Sequence, residues 1–331
     1  MAYTYLEKAI SARQAFIETD HQGAFRLFAG FYEGNPAIVA DIYARTLVLT
    51  SYVEEGKESQ QLLEDVQVWM LDRLPWLACV VQKQRQSTEQ ALKRGRITFG
   101  TTPDSSILEN GVRYTIELTM NQDASFYLDT RALRAWLLNY SRELDVLNTF
   151  AYTGSLGVAA LAGGAARVIQ VDRSPHFLEL ARRSASLNRL DLGKMKLRAV
   201  DFFTETARYK KENLFFDLAI IDPPFFSVTE KGTVDMVSES ARLINKLRPL
   251  IKDGGRLIAI NNALFLPGKT YFEGLEDLCK DGYLEIEQIV PIPEDITGFP
   301  DTIVSSAPAN PEPFNHSTKI VILRVKRKAA R

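Results

Sequence analysis

From about residue 144 the apolar positions fall into short runs bounded by Gly, Asp and Pro, separated by segments with apolar residues at three-to-four spacing. Alternation of that kind predicts parallel strands covered by helices on both faces. The runs at 145–148, 167–171, 196–200, 216–221 and 256–261 are expected as strands, and 156–163, 175–187, 203–211 and 234–250 as helices. Asp253-Gly254-Gly255 is expected to turn the chain into the fifth strand. A helix over 270–280 and strands over 284–290 and 319–325 follow. Between those last strands, 291–316 is rich in Pro, Ser, Asn and Asp, and a connection that long is expected to be a loop over the edge where a ligand binds.

The first 120 or so residues follow another pattern. Short strands are expected at 25–31, 37–41, 46–52, 79–82 and 112–119, with Gly34-Asn35-Pro36 as a turn and an amphipathic helix over 60–74. No catalytic spacing appears in this stretch. The division expected is a small α/β substrate-recognition or packing domain over 1–120 and a larger α/β domain over 121–331. No internal repeat or low-complexity segment is visible.

The 331 residues suit about two domains, and 46% hydrophobic with 24% charged residues describes an ordinary globular chain. No apolar run approaches the roughly 20 residues that cross a bilayer. The start has neither the charged head nor the apolar core of a secretion signal, so no membrane partner and a cytoplasmic location are expected. Cys79 and Cys279 have no C-x-x-C spacing, and His21, His176 and His316 are scattered, which predicts structural thiols and no metal site. A net charge of −1 gives no global attraction to nucleic acid, so any RNA contact must be local. The candidates are Lys83, Arg85, Lys93, Arg94 and Arg96, and the tail Arg324-Val325-Lys326-Arg327-Lys328.

Four strand ends carry the chemistry. Asn148-Thr149-Phe150-Ala151-Tyr152-Thr153-Gly154 puts a glycine where backbone passes close to a ligand, outside the carboxyl ends of the strands. Asp172 ends the second strand, where a carboxylate can accept both ribose hydroxyls of a nucleoside cofactor, with Ser174 as the helix cap beside it. Asp201-Phe202 follows the third strand; the carboxylate suits an adenine amino group or an N-cap, and the ring suits the adenine face. After the fourth strand, Asp222-Pro223-Pro224-Phe225 joins a carboxylate, two stiff prolines with free carbonyls, and an aromatic ring that can stack on a base. A nicotinamide-dependent oxidoreductase would also use an acidic second strand end, but it wants G-x-G-x-x-G where this chain has Gly154-Ser155-Leu156-Gly157.

With these turns in order, 126–325 resembles the class I S-adenosylmethionine-dependent methyltransferases, and most of all the bacterial large-subunit ribosomal RNA methyltransferases of the RlmI and RlmK type. The resemblance rests on Phe126-Tyr127-Leu128-Asp129-Thr130-Arg131, Val146 to Gly154, Val171-Asp172, Asp201-Phe202 and Asp222-Pro223-Pro224-Phe225-Phe226. It implies a Rossmann-like seven-stranded sheet with the last strand antiparallel and S-adenosylmethionine across the strand ends. It further implies that Asp129 and Arg131 border the cofactor, alongside Asn148, Phe150, Tyr152, Thr153, Gly154, Asp172, Ser174, Asp201, Phe202 and Asp222. Phe25 to Gly30, Ala37 to Asp41 and Thr46 to Val48 look like the small central domain of the same branch.

Two departures modify that expectation. Members with an RNA-binding PUA domain carry it ahead of the central domain, where this chain has only about twenty residues. Cytosine carbon-5 methylation needs a thiolate to add to the ring; in that subgroup the thiol follows the fifth strand, where this chain has Asn261-Asn262-Ala263. Transfer to a nitrogen of an RNA base is therefore expected, with Asp222, Pro223 and Phe225 at the acceptor, RNA as partner and a homodimer as the assembly. The alternatives are methylation of a protein side chain or small molecule, an oxidoreductase, and a non-catalytic RNA-binding protein.

Overall fold

The computed structural model describes residues 3–224 and 236–327. The chain divides into two compact units, Met1–Asp129 with Pro293–Ser306, and Thr130–Ile292 with Ala307–Arg331.

In the first unit, β1 (Ala24–Phe28), β2 (Ile38–Tyr43), β3 (Thr46–Ser51), β4 (Cys79–Gln84) and β5 (Arg96–Phe99) form one sheet in that order, with a separate hairpin of β6 (Ser106–Glu109) and β7 (Val112–Thr115). Helices α1 (Thr4–Ala12), α2 (Gln14–Ile17), α3 (Lys57–Arg73) and α4 (Gln90–Arg94) complete it. β3 and β4 run parallel with α3 as their crossover. Leu63, Val66 and Met70 of α3 pack on Ile38, Ala40, Ile42, Leu47 and Leu49 of the sheet. The helical spacing in α3 was legible because its other face is polar. β5 was not, since it is largely exposed and has no buried face to impose alternation.

The second unit holds α5 (Arg131–Tyr140), β8 (Asp145–Thr149), α6 (Ser155–Ala162), β9 (Arg167–Asp172), α7 (Pro175–Leu187), β10 (Met195–Ala199), α8 (Phe202–Lys211), β11 (Phe216–Ile221), α9 (Met236–Leu247), β12 (Ile251–Asn261), α10 (Gly268–Cys279), β13 (Leu284–Val290) and β14 (Lys319–Val325). Its seven strands are ordered β10-β9-β8-β11-β12-β14-β13. β8 to β12 are parallel, and β14 is antiparallel to both neighbours, as the resemblance implied. One face of the sheet packs Leu147, Ile169, Ile221, Leu257 and Val321 against Leu243 and Leu247 of α9 and Leu275 of α10. Leu and Ile at such positions each contribute about 1.5–3 kcal/mol on burial.

One expected turn lies elsewhere. Phe216 pairs with Ile251 and Leu218 with Arg256, so Asp253-Gly254-Gly255 forms an excursion inside β12 and does not precede it. Gly254 has φ +72°, and a Cβ on Gly255 would sit 2.7 Å from the Asp217 carbonyl oxygen, which explains why glycines occupy the excursion. The start of the helix expected over 234–250 falls outside the described residues; within them it is α9 followed by the 3-10 turn Arg248–Leu250.

The stretch Pro293–Ser306, containing α11 (Glu294–Thr297), joins the first unit through a buried ion pair. Arg13 donates to both carboxylate oxygens of Glu33 at 2.9 and 3.0 Å, and both side chains are fully buried. The same guanidinium reaches the Asp295 carbonyl, and Thr302 donates to Glu33. Breaking a buried pair leaves one charge uncompensated. Glu33→Ala should therefore destabilise the protein by about 3–5 kcal/mol in urea denaturation; an unchanged midpoint would show that the pair does not hold this stretch.

Candidate functional site

The second sheet reverses its direction of growth between β8 and β11. From β8 the chain builds outward through β9 and β10, then crosses to lay β11 on the other side of β8. Such a reversal opens a crevice beyond the carboxyl ends of the two central strands, where open α/β sheets bind ligands. Thr149 pairs with both Val171 and Ile221, and Asp172 with Ala199, so the strand ends align at one edge. Consequently the turn 150–154, Asp172, Asp201 and Asp222 all lie along that edge.

The turn after β8 is built from left-handed backbone. Phe150, Tyr152 and Gly154 have φ of 53°, 50° and 75°. Non-glycine residues in such conformations cost about 1–3 kcal/mol each and persist only where surroundings enforce them. Here the Ala151 N–H donates to the Val171 carbonyl and the Tyr152 N–H to Asp172, at 2.9 and 2.8 Å. The Tyr152 ring meets Phe177 edge-on at 4.7 Å, and Thr153 is buried.

Gly154 owes its identity to packing inside the protein. A Cβ there would lie 2.4 Å from the Ala181 Cβ and within 2.8 Å of the Gln170 amide, and one on Gly157 would strike Gln170 at 2.5 Å. Gln170, fully buried in β9, accepts from the Asn148 amide at 3.0 Å and donates to the Met195 sulfur. Asn148 is 1% exposed, so it supports the turn from beneath through Gln170. Sequence reasoning missed Gln170, although a lone polar residue in the apolar run of β9 was a signal.

Each oxygen of Asp172 accepts one backbone N–H, from Tyr152 and from Ser174 at 2.9 Å. An ionised carboxylate has about four lone-pair sites, so acceptor capacity remains for a diol. Burial pushes the Asp172 carboxyl above its ordinary value, against the lowering effect of the backbone N–H groups of Ser174, Tyr152 and Arg173. Ser174 caps α7, its Oγ accepting from Phe177, with Pro175 at the first helical position. Asp201 caps α8 by accepting from Phe203 and Thr204 at 2.9 and 3.4 Å. Phe202 is 3% exposed and stacked on Phe150 at 4.9 Å. Its ring belongs to the core, which corrects the expectation of an open face for adenine: the residue after the cap turns inward beneath the helix.

Beyond β11, Asp222 is half-buried, Pro223 buried and Pro224 exposed; Phe225 and Phe226 lie outside the described residues. The neighbouring β12 ends in Asn261, whose amide donates to Ser240 and whose Oδ1 accepts the Ala263 N–H. Lys319, paired in register with Asn261, is fully buried and donates to the carbonyls of Ala263 and Ser317, and burial pulls its ammonium down to about 8. Of the two thiols, Cys279 ends α10 and Cys79 begins β4 of the first unit, and burial pushes both upward. Asp129 lies in the 3-10 turn Leu128–Thr130, the last residue of the first unit, and Arg131 opens α5 of the second.

The basic tracts separate into anchored and outward-facing groups. Lys83 is 2% exposed and donates to the carbonyls of Asn121 and Asp123, while Arg85 pairs with Asp123 at 2.8 Å. Both hold the 121–123 segment; Lys83 is buried and so unavailable to phosphate, which corrects its inclusion among the RNA-facing cations, whereas Arg85 stays partly exposed. In the tail, Arg324 pairs with Glu287, Lys326 with Glu285, and Arg327 donates to the carbonyls of Ile251 and Pro249; Lys328 lies outside the described residues. Lys93, Arg94 and Arg96 carry no side-chain hydrogen bond or ion pair among the described residues. No group of three or more His, Cys, Asp or Glu among the described residues is arranged for a metal, and no described helix is long and apolar enough to cross a membrane.

A seven-stranded sheet with an antiparallel β14 and an acidic residue at the end of β9 defines a class I S-adenosylmethionine-dependent methyltransferase. The family's sequence profile matches residues 38–281, and the chain belongs to the S-adenosylmethionine-dependent methyltransferase family. Within it the chain falls in the branch of ribosomal RNA large subunit methyltransferase I. The protein of that name from Yersinia pseudotuberculosis is 31% identical over 292 residues, 86% of this chain and 72% of the relative. Its namesake from Alteromonas mediterranea is 28% identical, over 83% of this chain and 70% of its own. A solved Streptococcus mutans structure, described as a SAM-dependent methyltransferase, superimposes with TM-score 0.83 at 21% identity, covering 97% of this chain and 80% of that one. At that identity it speaks for the fold alone. Family membership makes the chain an enzyme with S-adenosylmethionine as cofactor and sets aside the oxidoreductase and the non-catalytic alternatives. The residues fit that cofactor, since Asp172 keeps acceptor capacity for a ribose diol beside a turn of closely packed backbone.

Gly154→Ala should lower stability by about 1–3 kcal/mol, from the left-handed φ together with the collision on Ala181 and Gln170. Thermal unfolding of the variant at wild-type stability would refute that packing role.

Proposed function

We propose that the enzyme methylates a nitrogen of a nucleobase in large-subunit ribosomal RNA. The observation that carries the reading is the pairing of Asp222-Pro223 at the end of β11, beside the strand reversal, with a thiol-free end of β12 at Asn261-Asn262-Ala263. The names of the relatives from Yersinia pseudotuberculosis and Alteromonas mediterranea support ribosomal RNA as substrate.

When bound, S-adenosylmethionine supplies an electrophilic methyl on a sulfonium. Asp172 accepts the ribose hydroxyls, the turn Phe150, Tyr152, Thr153 and Gly154 lies along the cofactor with Asn148 beneath it, and Ser174 holds the Asp172 loop. Asp201 accepts the adenine amino group with the lone pairs its cap leaves unused, Phe202 supports that edge from the core, and Asp129 and Arg131 flank the cofactor. Asp222 and the Pro223 carbonyl accept from the target nitrogen, turning its lone pair toward the methyl. Displacement would form the nitrogen–carbon bond as the sulfonium's carbon–sulfur bond breaks, S-adenosylhomocysteine leaving and one N–H proton passing to Asp222 or water, so that position and electrostatics carry the rate. A carbon-5 route would need a thiolate; the end of β12 carries none, Cys279 ends α10 half-buried, and burial raises both thiols.

Protonation of Asp172 removes acceptors from the diol, and the hydroxyl donors favour the ionised form. Cofactor affinity should be full above the raised Asp172 pKa and fall as pH drops through it. Calorimetry between about pH 7 and about pH 4 should show this loss, while Asp172→Asn should bind about 10- to 100-fold more weakly at neutral pH with a flatter profile. Parallel profiles for the two proteins would remove Asp172 from the ribose site.

Lys93, Arg94 and Arg96 are the cations proposed to meet RNA phosphates. Neutralising all three to Gln should weaken RNA binding and reduce the slope of log K against log salt by about 2–3, with cofactor affinity unchanged. A wild-type protein whose acceptor binding ignores salt would instead point to a small-molecule substrate.

A further inference from the structure

Two exposed tyrosines in the first unit stand beside a guanidinium that is fixed in place. Ser51 of β3 and Gln84 of β4 are paired in parallel, and the Arg85 N–H continues that ladder by donating to the Ser51 carbonyl at 2.9 Å. Tyr52 and Arg85 therefore sit level on adjacent strand ends, about 5 Å apart across the ladder. Further back on the same strands, Lys83 pairs with Thr50. Side chains at alternate positions share a face, and Lys83 reaches the carbonyls of Asn121 and Asp123 at 2.9 Å, so the 121–123 segment lies on that face. There Asp123 accepts from Arg85 at 2.8 Å and from the Tyr127 hydroxyl at 3.2 Å.

The cluster is open outward and rigid beneath. Tyr52 is 43% exposed and Tyr127 41%, and the Arg85 side chain keeps 32% of its surface open. Burial lowers the Arg85 guanidinium, but the hydrogen bond and charge of Asp123, with Tyr52 and Tyr127, hold it above its ordinary value. Both tyrosines thus lie within electrostatic reach of one cation. Beneath them, Lys83 fastens the carbonyls of 121 and 123, and the Asp123 N–H donates to Asn121 Oδ1 at 2.9 Å. Rings held this way lose little freedom when a partner lands on them. The outward-facing cations are on the next strand: Arg96 of β5 pairs with Gln82, about 10 Å back along β4 from Arg85, and Lys93 and Arg94 close α4 just before it.

Aromatic faces and a guanidinium plane are surfaces on which unpaired bases stack, whereas a duplex keeps its base faces stacked on one another. Cations along the same edge suit the phosphates of such a strand, and a chain of net charge −1 depends on local groups for that attraction. We propose that Tyr52, Tyr127 and Arg85 form a platform that stacks unpaired bases of the RNA, while Lys93, Arg94 and Arg96 hold the phosphates of the same strand. The inference rests on the ribosomal RNA reading above. It narrows that reading to RNA that is looped or single-stranded where the first unit grips it.

Fluorescence anisotropy on the full chain tests this with two probes: a labelled mixed-sequence RNA strand of about 15 nucleotides, and the same strand annealed to its complement. Wild type should bind the single strand about 5- to 100-fold more tightly than the duplex. Tyr52→Ala and Tyr127→Ala should each lose about 5- to 50-fold in affinity for the single strand. They should leave duplex binding, the slope of log K against log salt and the Kd for S-adenosylmethionine unchanged, because stacking releases no counterions. Tyr52→Phe, which keeps the ring, should bind like wild type. Equal affinity for strand and duplex, wild-type affinity in both alanine variants, or a loss of binding matched by a fall in unfolding temperature would overturn the platform and leave the ribosomal RNA reading intact. Wild type that binds neither probe would overturn that reading and the platform with it.

Discussion

β8 and β11 lie side by side in parallel, although β9, α7, β10 and α8 separate them in the chain. That pairing requires the chain to stop growing the sheet outward and cross to the other side of its first strand, and the two diverging connections leave a crevice at the carboxyl edge. The pairing is secured by more than its ladder: Thr149 Oγ1 donates to the Ile220 carbonyl at 2.7 Å, fully buried between the strands. Every residue assigned to the second unit's site takes its position from this constraint. The turn of β8 lies on one side of the crevice, and Asp222 with the end of β12 on the other.

The cofactor side and the acceptor side are stabilised by different physics. On the cofactor side, backbone is brought close by removing side chains: Gly154 and Gly157 admit Gln170, which in turn receives Asn148. A buried polar network of that kind is favourable only when each member is partnered, and it holds Phe150 and Tyr152 in conformations that would relax in isolation. Asp172 closes the arrangement by joining the ends of β8 and β9 while remaining an acceptor. On the acceptor side rigidity comes from Pro223, with no N–H to satisfy, and from a buried ammonium, Lys319, that donates to the carbonyls of Ala263 and Ser317.

Much of this was legible from local pattern. β11, β13 and β14 and the helix α7 stand at the expected residues, because each carries apolar residues in the period of its element. The acidic strand ends were visible because a carboxylate after a buried run has nowhere to point but the strand edge. Phe202 misled for the opposite reason: an aromatic after Asp201 looks like a stacking surface, and only the direction of the first turn of α8 sends it into the core. Lys83 and Arg85 looked like surface cations, yet their partners Asn121 and Asp123 come from nearly forty residues further along the chain.

The sequence by itself determined the alternation of strands and helices, the four strand-end motifs and the lack of a thiol after β12, since each is set by neighbours within a few positions. Tertiary structure alone decided that Gly154 is demanded by Gln170 and Ala181, that Arg13 and Glu33 recruit Pro293–Ser306 to the first unit, and that Asn262 is left with a buried acceptor. Those features arise from contacts between residues distant in sequence. Burial converts such contacts into constraints, and no local pattern carries the information about which distant groups will meet.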